Sequence, residues 1–147
     1  MTRLDPDECR RRFGSAPRAV LGTIGSDGAA DLVPVTFALV DGPHGDVVVT
    51  AVDHKPKRTD RLVRLANVRA DARVTLLCDH WDDDWGRLWW VRAEGLAVVH
   101  ERDVALPAEA AAAFAALVDR YPPYRARPPA GPVIVTAITR WVGWAAV

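Results

Sequence analysis

The chain is poor in the residues that staple a fold together or charge its surface one way. Only two of its 147 residues are cysteine. Cys9 lies in a basic N-terminal segment and Cys78 ends an apolar run. Two cysteines without a secretory leader do not make a disulfide framework, so both are expected as reduced thiols, Cys78 as a small buried hydrophobe. Net charge is also lacking: 19 basic residues balance 19 acidic ones, so no global field would draw the chain to nucleic acid or to an anionic membrane. No apolar run reaches the ~18 to 20 residues needed to span a bilayer, and Met1-Thr2-Arg3-Leu4-Asp5 has no apolar signal core. These absences predict a soluble, cytoplasmic protein without a nucleic-acid or membrane partner. The length fits one domain over residues 1–147 with a core of its own.

Catalytic signatures are missing as well. There is no G-x-S-x-G elbow, and His44, His54, His80 and His100 are scattered, two of them beside turn residues. Gly22, Gly25 and Gly28 do not match the dinucleotide-binding spacing and read as strand and hairpin glycines. The run His80-Trp81-Asp82-Asp83-Asp84-Trp85 fits neither zinc spacing nor a calcium loop. It reads as a solvated acidic loop whose tryptophans suit a ligand or a subunit partner. No side-chain catalyst and no metal site are expected.

What is present is a series of short strand signals with helices at intervals. Asp5, Pro6, Asp7 and Glu8 form a helix start, with Gly14 as its expected stop. Strands are expected over 18–25, 31–40 and 47–52, joined by short turns as an antiparallel meander. A helix follows over about 59–70. Strands come next over 73–79 and 87–100, with Gly95 as a possible bulge. Residues 114, 117, 118 and 121 share a helical face ended by Pro122-Pro123. Residues 124–131 read as a loop, and 132–147 as a strand pair or one long strand. About six or seven antiparallel strands with peripheral helices fit a small, mainly β barrel better than a doubly wound sheet.

One segment stands out chemically. The chain's only two lysines, Lys55 and Lys57, flank Pro56 and precede Arg58, Thr59, Asp60 and Arg61. The run follows a strand and leads into a helix. Lysine and arginine donate charge-assisted hydrogen bonds to phosphate oxygens, a helix N-terminus adds to the same field, and proline fixes the backbone between them. Taken alone, such a run fits an anion site or a solvated face.

Residues 55–77 and 79–95 resemble a specific family, the flavin/deazaflavin oxidoreductases, or pyridoxamine-phosphate-oxidase-like class of F420-dependent oxidoreductases. The likeness extends back to Leu21-Gly-Thr-Ile-Gly-Ser-Asp-Gly28 and Leu32-Val-Pro-Val-Thr-Phe37, and forward to Ile138-Thr-Arg-Trp-Val-Gly-Trp144. The resemblance implies a split β-barrel of the FMN-binding type, a homodimer, and a cofactor held where the subunits meet. It assigns Lys55, Lys57 and Arg58 to the cofactor phosphate, with Pro56 between them, and Thr50 near the same phosphate. It runs the backbone of Val33, Pro34, Val35 and Thr36 along the tricyclic ring, and makes Trp85 a contact to the partner subunit. It gives Trp141 and Trp144 no role. The implied activity is F420-dependent hydride transfer to a small, apolar organic substrate. Arg61 and Arg64 would line a groove for the anionic tail of F420, and residues 80–86 and 121–131 would wall the substrate pocket. FMN is the alternative cofactor, and a non-enzymatic flavin, F420 or haem binder the alternative role, although no proximal histidine for haem is evident.

Overall fold

The computed structural model describes residues 1–52 and 58–146, and for residues 58–62 the backbone alone. The N-terminal helix α1 (Pro6–Ser15) starts as its sequence dictates: the Asp5 carboxylate accepts from the Glu8 N–H at 2.8 Å and Pro6 opens the first turn. It does not stop at Gly14. It runs one residue further and ends where Ala16 turns extended and its N–H returns to the Phe13 carbonyl at 3.1 Å.

Beyond a short β1 (Thr2–Arg3), the strands are β2 (Ala19–Ile24), β3 (Ala30–Val35), β4 (Ala38–Gly42), β5 (Gly45–Ala51), β6 (Arg73–His80), β7 (Trp89–His100) and β8 (Val133–Ala145). Helix α2 (Arg58–Ala70) follows β5, and α3 (Ala108–Arg120) and α4 (Pro122–Ala126) fill the crossing from β7 to β8. The expected loop after Pro122-Pro123 thus begins as a helical turn. The C-terminal segment is one long strand rather than a pair.

All pairings are antiparallel, in the order β3-β2-β6-β7-β8-β5-β4, with β1 on the end of β8. Two expectations need correction. The strand expected over 31–40 is two strands, broken at Thr36 and Phe37. The expected meander is two separate hairpins, because β3 pairs only with β2 and β4 only with β5. Strands β3 and β4 follow each other across two residues, yet they lie at opposite margins of the sheet. The sheet must therefore curl until its margins approach, without a ladder between them. That is a split β-barrel of eight strands with four helices.

Gly95 makes the bend in β7. The register slips between Glu94 and Gly95, and a Cβ on Gly95 would stand 2.2 Å from the Ala137 carbonyl oxygen. No other residue permits that approach of β7 to β8.

Two apolar clusters hold the fold. Inside the barrel, Phe13 of α1 packs on Phe37 with ring centroids 4.8 Å apart, among Leu21, Val48, Leu76 and Val91. Outside, α3 sets Ala113 and Leu117 against Val49 and Val133. Adjacent residues Val48 and Val49 thus serve different cores, as the two-residue period of a strand buried on both faces requires. Among the described residues no helix is long and apolar enough to cross a membrane.

Candidate functional site

Strand β3 is a sheet margin, so one side of its backbone has no ladder partner. Pro34, which has no N–H to give, is tolerated at such a margin. Along the strand Val35 points into the barrel core, Val33 packs partly against it, and Pro34 is exposed. At the corner beyond, the Thr36 hydroxyl lies 2.7 Å from that of Tyr124. Strand β3 therefore offers a ligand backbone rather than side-chain chemistry.

The corner itself is clamped from α3. The Tyr121 hydroxyl accepts from the Phe37 N–H at 3.2 Å and faces the carbonyls of Phe37 and Pro17 at 3.0 and 3.1 Å. The Arg120 guanidinium donates to the Phe37 carbonyl at 2.6 Å and to the Ala16 carbonyl, and stacks over the Phe37 ring at 4.7 Å. These groups hold the margin in place from some eighty residues away in sequence.

Thr50 lies in β5, pointing to the barrel side with Val48. It is 2% exposed, and among the described residues its hydroxyl has no hydrogen-bond partner. Leaving a hydroxyl buried and unpaired costs on the order of 1 to 3 kcal/mol. Such a group is suited to a polar ligand atom at the end of β5, where the chain enters the basic segment. Lys55, Pro56 and Lys57 lie outside the described residues. Arg58 and Arg61 sit on the first turns of α2, whose backbone is described.

A cleft of about 360 Å³ opens between α2 and the β2–β3 hairpin, lined by Thr23, Asp31, Leu32, Val33, Val63 and Arg64. It brings Val33 and Arg64 together. Two of these lining residues are held by the buried Asn67, which donates to the Thr23 hydroxyl at 3.0 Å and to the Asp31 carboxylate at 2.7 Å. Sequence reasoning missed this triad. Its one signal was an asparagine on the apolar side of a helix, where asparagine is a poor helix former without a side-chain partner.

Trp85 is placed elsewhere. Thr50 pairs with Ile134, which pairs with Val99 near the far end of β7, whereas Trp85 opens the 3-10 turn before Trp89. Ten residues of extended strand separate Trp89 from Val99, about 30 Å. Within one chain Thr50 and Trp85 thus lie toward opposite ends of β7. Trp141 packs edge-on against Phe13 at 5.3 Å, and Trp144 pairs across the ladder with Trp90.

Burial pushes the Cys78 thiol up to about 12, and burial also raises Cys9, so neither is a thiolate near neutrality. Among the described residues no three metal-ligating side chains converge.

The family model for pyridoxamine 5'-phosphate oxidase matches residues 5–145. Among curated proteins no match is found. Solved structures of the same fold include a conserved hypothetical protein from Mycobacterium tuberculosis, 22% identical over 97% of this chain and 86% of that one, with a TM-score of 0.72. An FAD binding protein from Mycobacterium smegmatis is 19% identical over 97% and 98% of the two chains, with a TM-score of 0.63. A heme binding protein from the same organism is 23% identical over 94% of this chain and 54% of that one, with a TM-score of 0.70. At these identities the structures speak to the fold alone, whereas the family model spans the strands from β2 to β8, and the chain belongs to the pyridoxamine 5'-phosphate oxidase family.

Proposed function

We propose that the chain binds a flavin-type redox cofactor, F420 ahead of FMN, and acts as an oxidoreductase on a small, apolar organic substrate. The observation that carries this is Thr50: a buried hydroxyl without a partner among the described residues, at the end of the strand that leads into the chain's only two lysines. When bound, F420 supplies two-electron hydride chemistry, which asks position and electrostatics of the protein rather than a charged side-chain catalyst.

Lys55, Lys57 and Arg58 donate to the cofactor phosphate, with Pro56 fixing the backbone between the lysines and Thr50 adding a hydroxyl donor. The margin of β3, from Val33 to Thr36, lies along the ring. Its amides stabilise negative charge there at no cost in reorganisation, because Tyr121 and Arg120 already hold the corner. Arg61 and Arg64 supply positive charge for the anionic tail. Trp85 reaches the ring of a second copy, since within one chain it lies toward the end of β7 opposite the end that Thr50 approaches; the working form in this reading is a homodimer in the cytoplasm. FMN shares the ring shape and first phosphate, and an FAD-binding relative of the same fold keeps flavins in the comparison.

A fluorescence titration of the purified chain with F420, FMN and haem tests this. Micromolar or tighter F420 binding with weak FMN binding is expected, and Lys55→Ala and Lys57→Ala each weaken it. A preference for FMN moves the chemistry to flavin. Unchanged affinity in both lysine variants removes the phosphate assignment, and absence of binding to either cofactor overturns the proposal.

A further inference from the structure

The helices leave one face of the sheet bare. Helices α1 and α2 spend Phe13, Leu65 and Val68 on the barrel core, and α3 covers the outward residues Val49 of β5 and Val133 of β8. The outward side of β6 and β7 receives no such cover among the described residues. Side chains alternate along both strands: Val74, Leu76 and Cys78, and Val91, Ala93 and Ala97, are buried, and the residues between them point away from the core. On that side Leu77, Leu96 and Val98 are 39%, 51% and 56% exposed. Large aliphatic side chains gathered on one bare face mark a protein contact.

The arrangement of this face selects the occupant, because it is complementary to itself. Leu77 stands opposite Arg92 in the ladder, two residues to one side of Glu94, and Leu96 lies two residues to the other. A two-fold axis in the plane of the face, crossing the strands at Glu94, lays β7 antiparallel over a second β7. Leu77 of each copy then comes to Leu96 of the other. At the axis Glu94 has Arg92 at 3.0 Å and Arg140 at 3.9 Å, so the charges meeting there carry both signs. A contact in which each copy uses the same patch is what a closed dimer requires.

The cofactor reading asks for the same axis on a different ground. Thr50 reaches Val99 through Ile134 in the ladders, whereas Trp85 lies just before Trp89. For Trp85 of each copy to serve the ring of the other, the two ends of β7 must change places. The axis that exchanges positions 89 and 99 passes midway between them, at Glu94.

We infer that the outward face of β6 and β7 is where two copies of this chain meet, on a two-fold axis at Glu94. The inference names the partner surface of the reading above and rests on that reading for the exchange of ends.

The test uses the full chain without cofactor. Sedimentation equilibrium at micromolar concentration is expected to show a dimer of 16.1 kDa subunits. Leu77→Arg and Leu96→Arg each set a charge against the partner and weaken the dimer by about tenfold or more. Both positions are exposed, so the far-UV spectrum stays unchanged. Cys9 and Cys78 are buried, so a thiol introduced by Glu94→Cys reacts alone, and a short bis-maleimide joins it to its own counterpart at the axis. Asp41→Cys, exposed on β4 at the far margin of the sheet, is not joined. A monomeric wild type, leucine variants that dimerise as well as the wild type, or equal cross-linking at 41 and 94 would each overturn the inference. A dimer that passes these tests and binds neither F420 nor FMN sustains the interface and overturns the cofactor reading alone.

Discussion

The Trp141 indole N–H donates to the Asp46 carboxylate at 2.9 Å, and the same carboxylate takes two contacts from the Arg10 guanidinium, at 2.8 and 2.9 Å. One side chain, only 12% exposed, thereby fastens α1, β5 and β8 to each other. Hydrogen bonds to a charged group contribute about 1.5 to 3 kcal/mol. Asp46→Ala is expected to lower stability by roughly 2 to 3 kcal/mol in denaturant melts, on that scale. Trp141→Phe loses only the neutral partner's bond and part of the packing on Phe13, so its effect is smaller.

Gly95→Ala places a methyl against the Ala137 carbonyl and the Thr136 methyl, 2.2 and 2.9 Å away. Backbone cannot yield as a side-chain tip does. A loss of about 1 to 3 kcal/mol is expected from overpacking, and the change should leave the turn at Trp85 intact. Chemical denaturation measures the first and indole N–H spectra the second.

Thr50→Val separates stability from binding. It removes a hydroxyl that is buried without a partner among the described residues, so the free protein should be as stable or slightly more so. Cofactor affinity should fall, by about five- to tenfold for one lost hydrogen bond. A variant whose affinity is unchanged would detach Thr50 from the site.

Tyr121→Phe keeps the ring that packs on Tyr124 and removes the hydroxyl shared by Phe37 and Pro17. The Phe37 N–H then loses its partner, at a cost of about 1 to 3 kcal/mol. Because the corner it holds adjoins β3, cofactor affinity should drop alongside thermal stability, whereas Asp46→Ala should spare affinity once the protein is folded.

Acid stability turns on Glu8 and Asp71. Hydrogen bonds from Arg11 and Arg12 hold the Glu8 carboxyl down from 4.5 to about 2, and those from Arg73 hold Asp71 down from 3.8 to about 2. A carboxyl whose folded pKa is depressed stabilises the fold above its unfolded value, and that contribution fades as pH falls toward the folded one. Melting temperature should therefore be flat from neutrality to near pH 5 and decline between about pH 4.5 and 2. In Glu8→Gln the decline should be shallower and the neutral-pH value lower; an identical profile would show that these exposed pairs contribute nothing.

Much of the fold was legible because local chemistry sufficed. Asp5 and Pro6 mark a helix start in any context, and Gly95 in a strand pattern signals a bulge. The break at Thr36 and Phe37 was not legible. The run Val35-Thr-Phe-Ala38 has unbroken strand character, and what bends it, Tyr121 and Arg120, arrives from another part of the chain. The meander reading failed for the same reason, since a pairing order is decided by closure and not by neighbours in sequence. At the candidate site, the basic segment was visible as residue types and Thr50 only through the family resemblance. The Thr23–Asp31–Asn67 triad needed three elements to meet before it existed at all.

The place of β8 between β7 and β5 has a consequence for synthesis. Until this strand emerges from the ribosome, the nascent chain holds two unjoined pieces, a four-stranded half and a hairpin, each with a bare edge awaiting the same partner. Assembly of the sheet therefore waits for the last of its strands, and the interval before it is when pairing with a neighbouring nascent chain competes.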